Sequence, residues 1–163
     1  KLNEDKEYIF EICGSYRREK LVSNDIDVLI TKRGYKKKSD KHLKRIIKQL
    51  KKDIRKNNNK PLLIDDMTDK NVSTKYMGFS QYKDNPIRRI DIRFVPYDSY
   101  YSALLYFTGS RDFNKKMRKI AKDQGYKLSE YGLFDSDDNK IKVKSERDIF
   151  KKLGMEYLPP RLR

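Results

Sequence analysis

Asp25 and Asp27, two residues apart in the run Asp25-Ile-Asp-Val-Leu-Ile-Thr31, are the first side chains whose spacing suggests chemistry. The run is rich in β-branched residues and reads as a strand. Side chains alternate along a strand, so both carboxylates face one side while Ile26, Val28 and Ile30 face the other. A second such run, Arg88-Arg-Ile-Asp-Ile-Arg-Phe94, puts Asp91 on one face with Arg89 and Arg93, and Ile90, Ile92 and Phe94 opposite. If the two strands are neighbours, three carboxylates converge above an apolar underside. Such a cluster repels itself and raises at least one pKa. Divalent cations relieve that repulsion, and hard oxygen donors favour Mg²⁺ or Mn²⁺. Alone, Asp-x-Asp is a weak pattern that more often marks carboxylates facing water on a one-sided sheet.

The segment before it changes the balance. Gly14-Ser15-Tyr16-Arg17-Arg18 follows an apolar strand and opens a short helix. Backbone N–H groups and a hydroxyl at such a junction suit an anion. Arg18 adds charge-assisted bonds to phosphate oxygens. A phosphate cradle just ahead of a cation-binding pair is a nucleotide-handling arrangement.

These residues need elements to hold them. Strands are expected at 8–13, 25–31, 62–65, 75–82 and 88–95. A short helical turn is expected at 17–21. Ser39 and Asp40 offer an N-cap for a helix whose Leu43, Ile46, Ile47, Leu50 and Ile54 recur at helical spacing, with 57–59 ending it. Its lysine-rich faces read as solvated. Helices are also expected at 100–107, 113–123, closing at Gly125, and 146–153, capped by Ser145. A hairpin is expected at 132–143. The pattern predicts an α+β fold: a mixed β-sheet with helices packed on it (residues 1–97), then a small α/β lobe (98–163).

Composition bounds the partners. Among 163 residues, 40 Lys+Arg face 24 Asp+Glu, a formal charge of +16. Such a field attracts polyanions, nucleic acid first. With no long apolar run or secretory signal, no membrane association is expected. The single cysteine, Cys13, excludes an internal disulfide and points to an intracellular setting, with the nucleus left open. It sits in an apolar run and reads as a buried structural thiol. The single histidine, His42, stands among lysines and reads as solvated surface; it excludes a zinc site.

Gly14-Ser15 followed by Asp25-Ile-Asp27 resembles the nucleotidyltransferase superfamily built like DNA polymerase beta, and its family X DNA polymerase branch in particular. Residues 88–93 resemble the strand bearing that family's third carboxylate. Tyr106-Phe-Thr-Gly-Ser110 resembles its nucleotide-sugar segment, and Phe113-Asn-Lys-Lys-Met-Arg118 the helix that follows. Gly125-Tyr-Lys-Leu-Ser-Glu-Tyr131, Tyr157-Leu-Pro-Pro160 and Arg163 resemble its thumb and chain end. The first lobe then corresponds to a nucleotidyltransferase palm and the second to a thumb.

The resemblance implies a DNA polymerase that adds deoxynucleotides to a primer 3′-hydroxyl with two Mg²⁺ ions, Mn²⁺ being a substitute, in short-gap repair. Its substrates would be dNTP and gapped primer-template DNA, and the protein a monomer. Asp25, Asp27 and Asp91 would hold the ions, and Gly14, Ser15, Arg18, Ser23 and Asn24 the triphosphate. Tyr106, Phe107 and Gly109 would crowd the sugar, although both aromatics equally suit a helix-end core. Asn114 would contact the incoming base, and Arg118 the template or a phosphate. Arg89, Arg93, Lys115 and Tyr131 complete the implied DNA contacts. Arg111 departs from the pattern, since the best-known member has an acidic residue there; a guanidinium at that point is expected to stack on the base or reach the triphosphate. The family's lyase lobe and helix-hairpin-helix fingers have no counterpart in these residues, so no lyase activity is expected of them, and the +16 charge is expected to supply much of the DNA affinity. The alternatives are a template-independent terminal transferase, an RNA-tailing enzyme, which the Tyr-Phe-Thr-Gly segment and Arg118 disfavour, or a catalytically silent nucleic-acid-binding module.

Overall fold

The computed structural model describes residues 7–36, 41–68 and 72–163. The first lobe is a five-stranded sheet of β1 (Tyr8–Ile12), β2 (Asp25–Lys32), β3 (Leu63–Asp66), β4 (Lys75–Ser80) and β5 (Arg88–Phe94), ordered β1-β2-β5-β4-β3. Only β2 and β5 pair in parallel, and they hold the centre. The alternation read from sequence becomes the fold. Ile30, Ile90, Ile92 and Phe94 turn to one face and pack on Leu43, Ile46 and Ile47 of helix α2 (Lys41–Lys52). On the other face, Leu29 packs with Cys13, Tyr100, Ala103 and Leu104, which brings helix α3 (Tyr100–Thr108) down on the sheet.

α1 (Gly14–Arg17) lies between β1 and β2, ahead of the expected turn. The second lobe follows α3: α4 (Arg111–Asp123), a three-stranded sheet of β6 (Lys127–Ser129), β7 (Gly132–Phe134) and β8 (Lys140–Ile141), and α5 (Glu146–Lys152). Ser110 and Ser145 cap α4 and α5, each hydroxyl accepting a backbone N–H three residues on. Leu105, Phe113, Met117, Leu133, Ile149 and Phe150 form this lobe's core. The fold is thus α+β, as expected. No helix among the described residues is long and apolar enough to cross a membrane.

Three expectations need correction. α2 stops at Lys52, and Ile54 is exposed. Asn57 is the cause: its side-chain amide donates to the carbonyls of Lys60, Pro61 and Gln81, which buries it in a loop the helix cannot continue through. His42 is not solvated surface. Its Nδ1 is hydrogen-bonded to the Tyr8 hydroxyl at 2.6 Å, and its ring stacks on Phe94 with centroids 5.4 Å apart. Burial, then Lys32 and Arg45, hold its pKa below the usual value. β6 was not expected as a strand. The proposed caps Ser39 and Asp40 lie outside the described residues.

A candidate nucleotidyl-transfer site

The parallel pairing of β2 and β5 sets Asp25 opposite Arg89 and Asp27 opposite Asp91. Cross-strand partners project to the same face, so the three carboxylates share one patch. Arg89 lies within it: its Nη2 donates to Asp25 Oδ2 at 2.6 Å, and its Nε is 3.5 Å from Asp91 Oδ1. Implied by the resemblance as a DNA contact, Arg89 here neutralises carboxylates. The neutralisation is incomplete. Burial first, then the charges of Asp25 and Asp91, push Asp27 up to about 6.

Gly14 is buried against this patch with φ +59°, and a Cβ on it would lie 2.2 Å from Asp27 Oδ2. Only glycine leaves that approach open, for steric and backbone reasons together. The Cys13 N–H donates to the Asp27 carbonyl at 2.8 Å, tying the end of β1 to β2 here. Cys13 itself is buried, and its thiol is pushed to about 12, so it is an inert packing group.

Ser23 Oγ donates to the Asp25 carbonyl at 2.8 Å, which uses its one proton; Ser15 Oγ, 2.7 Å away, is therefore the donor to Ser23. Arg18 Nη1 donates to the Thr108 carbonyl at 2.5 Å, and its Nε is buried without a partner. Arg18 thus links α1 to the end of α3.

A cleft of about 360 Å³ opens between the lobes, lined by Gly14, Ser15, Arg18, Asp25, Asp27, Tyr106, Phe107, Gly109, Arg111, Asn114 and Arg118. The Asn114 side-chain amide donates to the Tyr106 carbonyl at 2.7 Å, fixing α4 to the end of α3. The Tyr106 and Phe107 rings meet edge to face at 5.1 Å, and Arg93 lies over Phe107 at 5.6 Å. Arg118 Nε donates back to the Asn114 carbonyl. Asp91 sits beside Asp27 behind the lining. Asn24, Lys115 and Tyr131 are exposed away from the cleft walls, Tyr131 lining a neighbouring hollow with Arg93.

Among the described residues no three His, Cys, Asp or Glu side chains form a ready-made metal cage; Arg89 bridges the carboxylates that would make one. The donor set nevertheless fits a divalent cation. It consists of hard oxygens, and Asp91 Oδ1 is buried with no hydrogen-bond partner.

An ion-pair network lies behind the cleft and was not anticipated. Arg17 donates to both carboxylate oxygens of Glu146, at 3.0 and 2.7 Å, and to Thr108 Oγ1 at 2.6 Å. Arg163, at the chain end, donates to Glu146 Oε1 at 2.6 Å, its guanidinium within 5.6 Å of the ring centroids of Phe113, Phe150 and Tyr157. Burial alone would raise the Glu146 pKa, but the two arginines outweigh it and hold it low. The network fastens α1 of the first lobe to α5 of the second.

The family model for the DNA polymerase beta palm matches residues 2–97, and that for the DNA polymerase beta thumb matches residues 103–163. DNA polymerase lambda of Rattus norvegicus is 35% identical over 91% of this chain, and that of Arabidopsis thaliana 31% identical over 91%. A DNA nucleotidylexotransferase of Xenopus laevis is 42% identical over 44% of the chain. The chain spans 27% and 31% of the length of the two polymerase lambda relatives, and 15% of the Xenopus protein.

Proposed function

This chain belongs to the family X DNA polymerases, the DNA polymerase beta type, and on that premise we propose that it adds deoxynucleotides to a primer 3′-hydroxyl in short DNA gaps. The observation that carries the proposal is the placement of Asp25, Asp27 and Asp91 on one face of the sheet, the first two lining a cleft that also holds Ser15 and Arg18.

Asp25 and Asp27 would hold two Mg²⁺ ions, with Asp91 sharing the catalytic one. When bound, these ions neutralise the triphosphate and favour the ionised 3′-oxygen. The protein's own contributions follow from its geometry. Arg18 and a Ser15 hydroxyl turned away from Ser23 grip the β and γ phosphates. Tyr106 and Phe107 pack against the sugar, excluding a 2′-hydroxyl. Asn114 and Arg118 face the new base pair, where minor-groove acceptors are common to every correct pair. The primer 3′-oxygen bonds to the α-phosphorus in line, the bond to the β-phosphate oxygen breaks, and pyrophosphate leaves. Asp91 accepts the 3′-hydroxyl proton.

The test is extension of a one-nucleotide-gapped duplex with each dNTP in Mg²⁺, beside a single-stranded primer. Template-matched addition at the gap supports the reading. Untemplated addition to the single strand favours instead the terminal-transfer chemistry that the Xenopus relative's name denotes.

A further inference from the structure

The carboxylate cleft lies at the C-terminal end of α3. At the other end, a hollow of about 700 Å³ opens, lined by Lys36, Tyr97, Asp98, Tyr101 and residues 140–144, and it shares no residue with the first cleft. Ile141 and Val143 pack toward the second lobe's core. Only Lys140 and Ile141 lie in β8; Lys140, Lys142 and Lys144 alternate in sequence with the two half-buried residues Ile141 and Val143, and all three lysines are exposed and line the hollow.

The charge balance within the hollow is one-sided. Among the described residues Asp98 is its one lining carboxylate, and it is 3.1 Å from Lys140 Nζ, which also donates to Ser99 Oγ at 2.9 Å. Beyond Asp98, no carboxylate among the described residues lines the hollow beside Lys36, Lys142 and Lys144; outside the lining, the Asp148 carboxylate accepts the Lys144 backbone N–H at 2.7 Å. Across from the lysine row stand two half-buried tyrosines, Tyr97 and Tyr101. Tyr100 meets the Tyr101 ring edge to face at 5.3 Å and fixes its plane. Lysines on an edge strand also discourage pairing with other sheets, but that role requires nothing of the tyrosines.

We infer that this hollow is a second nucleic-acid subsite, holding single-stranded DNA with its phosphates on the lysine row and its bases against Tyr97 and Tyr101. Cationic tracking of the backbone combined with aromatic stacking is the chemistry that takes an unpaired strand without regard to sequence. Duplex DNA, its bases already stacked, gains only the lysine contacts. The inference stands apart from catalysis at the carboxylates.

The experiment uses the full 163-residue chain and the fluorescence anisotropy of labelled oligothymidylate of about 12 nucleotides. Lys142→Glu/Lys144→Glu is compared with Lys48→Glu/Lys52→Glu, which makes the same net-charge change on α2. The first pair is expected to weaken binding about tenfold and to flatten the slope of log affinity against log salt by about 1.4, the single-strand value for two lost phosphate contacts. The α2 pair is expected to change both far less. Tyr101→Leu is expected to weaken binding about fivefold with the slope unchanged, as loss of stacking requires. The melting temperature of the first pair and its dNTP binding should stay at wild-type values. Equal losses from the two charge-reversed pairs, or an unchanged affinity in the first, would overturn the subsite. Asp91→Asn leaves this assay intact, so failure of the polymerase reading and failure of the subsite are separately visible.

Discussion

Asp27 and Asp91 are register partners on the two parallel strands at the centre of the sheet, so their carboxyls rise side by side from one face. Arg89 and Arg93 offset this crowding in part, but burial and the neighbouring carboxylates outweigh them and leave Asp27 at about 6.

That shift fixes a sign. The native state holds the Asp27 proton more tightly than the unfolded chain, whose carboxyl titrates near 3.8. Between about pH 4 and 6 the folded protein therefore binds the extra proton, and stability falls as pH rises. Asp27→Asn should stabilise the cation-free protein at pH 7.5 by on the order of 1 kcal/mol, the half-exposed site reducing the full electrostatic value. It should have no such benefit at pH 4. Urea unfolding in chelator at the two pH values checks this; a less stable variant at pH 7.5 contradicts it.

Gly14→Ala should remove activity without unfolding the protein. The added methyl would lie 2.2 Å from Asp27 Oδ2, at a φ of +59° that alanine resists. Incorporation is expected to fall at least a hundredfold, with circular dichroism unchanged. Activity within a few-fold of wild type would show that the close approach of α1 to β2 is not needed.

Glu146→Gln should destabilise the chain by about 3 kcal/mol, because it leaves the buried Arg163 guanidinium with no counter-charge and the half-buried Arg17 with only Glu11, 3.7 Å away. The pair's contribution is fully present above the ordinary glutamate value of 4.5 and is lost as pH falls through the lowered folded value. Denaturant midpoints at pH 7 and pH 4 give both figures. A loss under 1 kcal/mol at pH 7 would show that the two lobes hold together by apolar packing alone.

Arg111→Ala should weaken dNTP binding several-fold and leave the fold intact, since Arg111 is exposed at the start of α4 and lines the cleft. Calorimetric titration reads this directly. An unchanged constant would remove Arg111 from the nucleotide site.

The central elements were legible because their signals are local. Alternation placed Asp25, Asp27 and Asp91 on β2 and β5, and Ser145 marked the start of α5, whereas the cap at Ser110 went unread and α4 begins two residues before the expected start at 113. The parallel register that joins Asp27 to Asp91 carries no local signal; the resemblance to a family supplied only that Asp91 belongs with the pair. Nothing near Arg17 announces Glu146, 129 residues on. The end of α2 was misplaced because Asn57 acts through carbonyls up to 24 residues away. His42 was misread because its lysine neighbours suggested solvent, whereas it borders the apolar arc of α2 and stacks on Phe94. The bond from Arg89 to Asp25 depends on strand register, which the sequence does not announce locally.

Single-turnover extension of a one-nucleotide-gapped duplex in Mg²⁺ by wild type and Asp91→Asn, with binding to that duplex measured in parallel, tests the central claim most directly. Templated addition by wild type, a fall of a thousandfold or more in the variant, and gapped-duplex affinity within a few-fold are expected. Equal incorporation by the two proteins would contradict that claim.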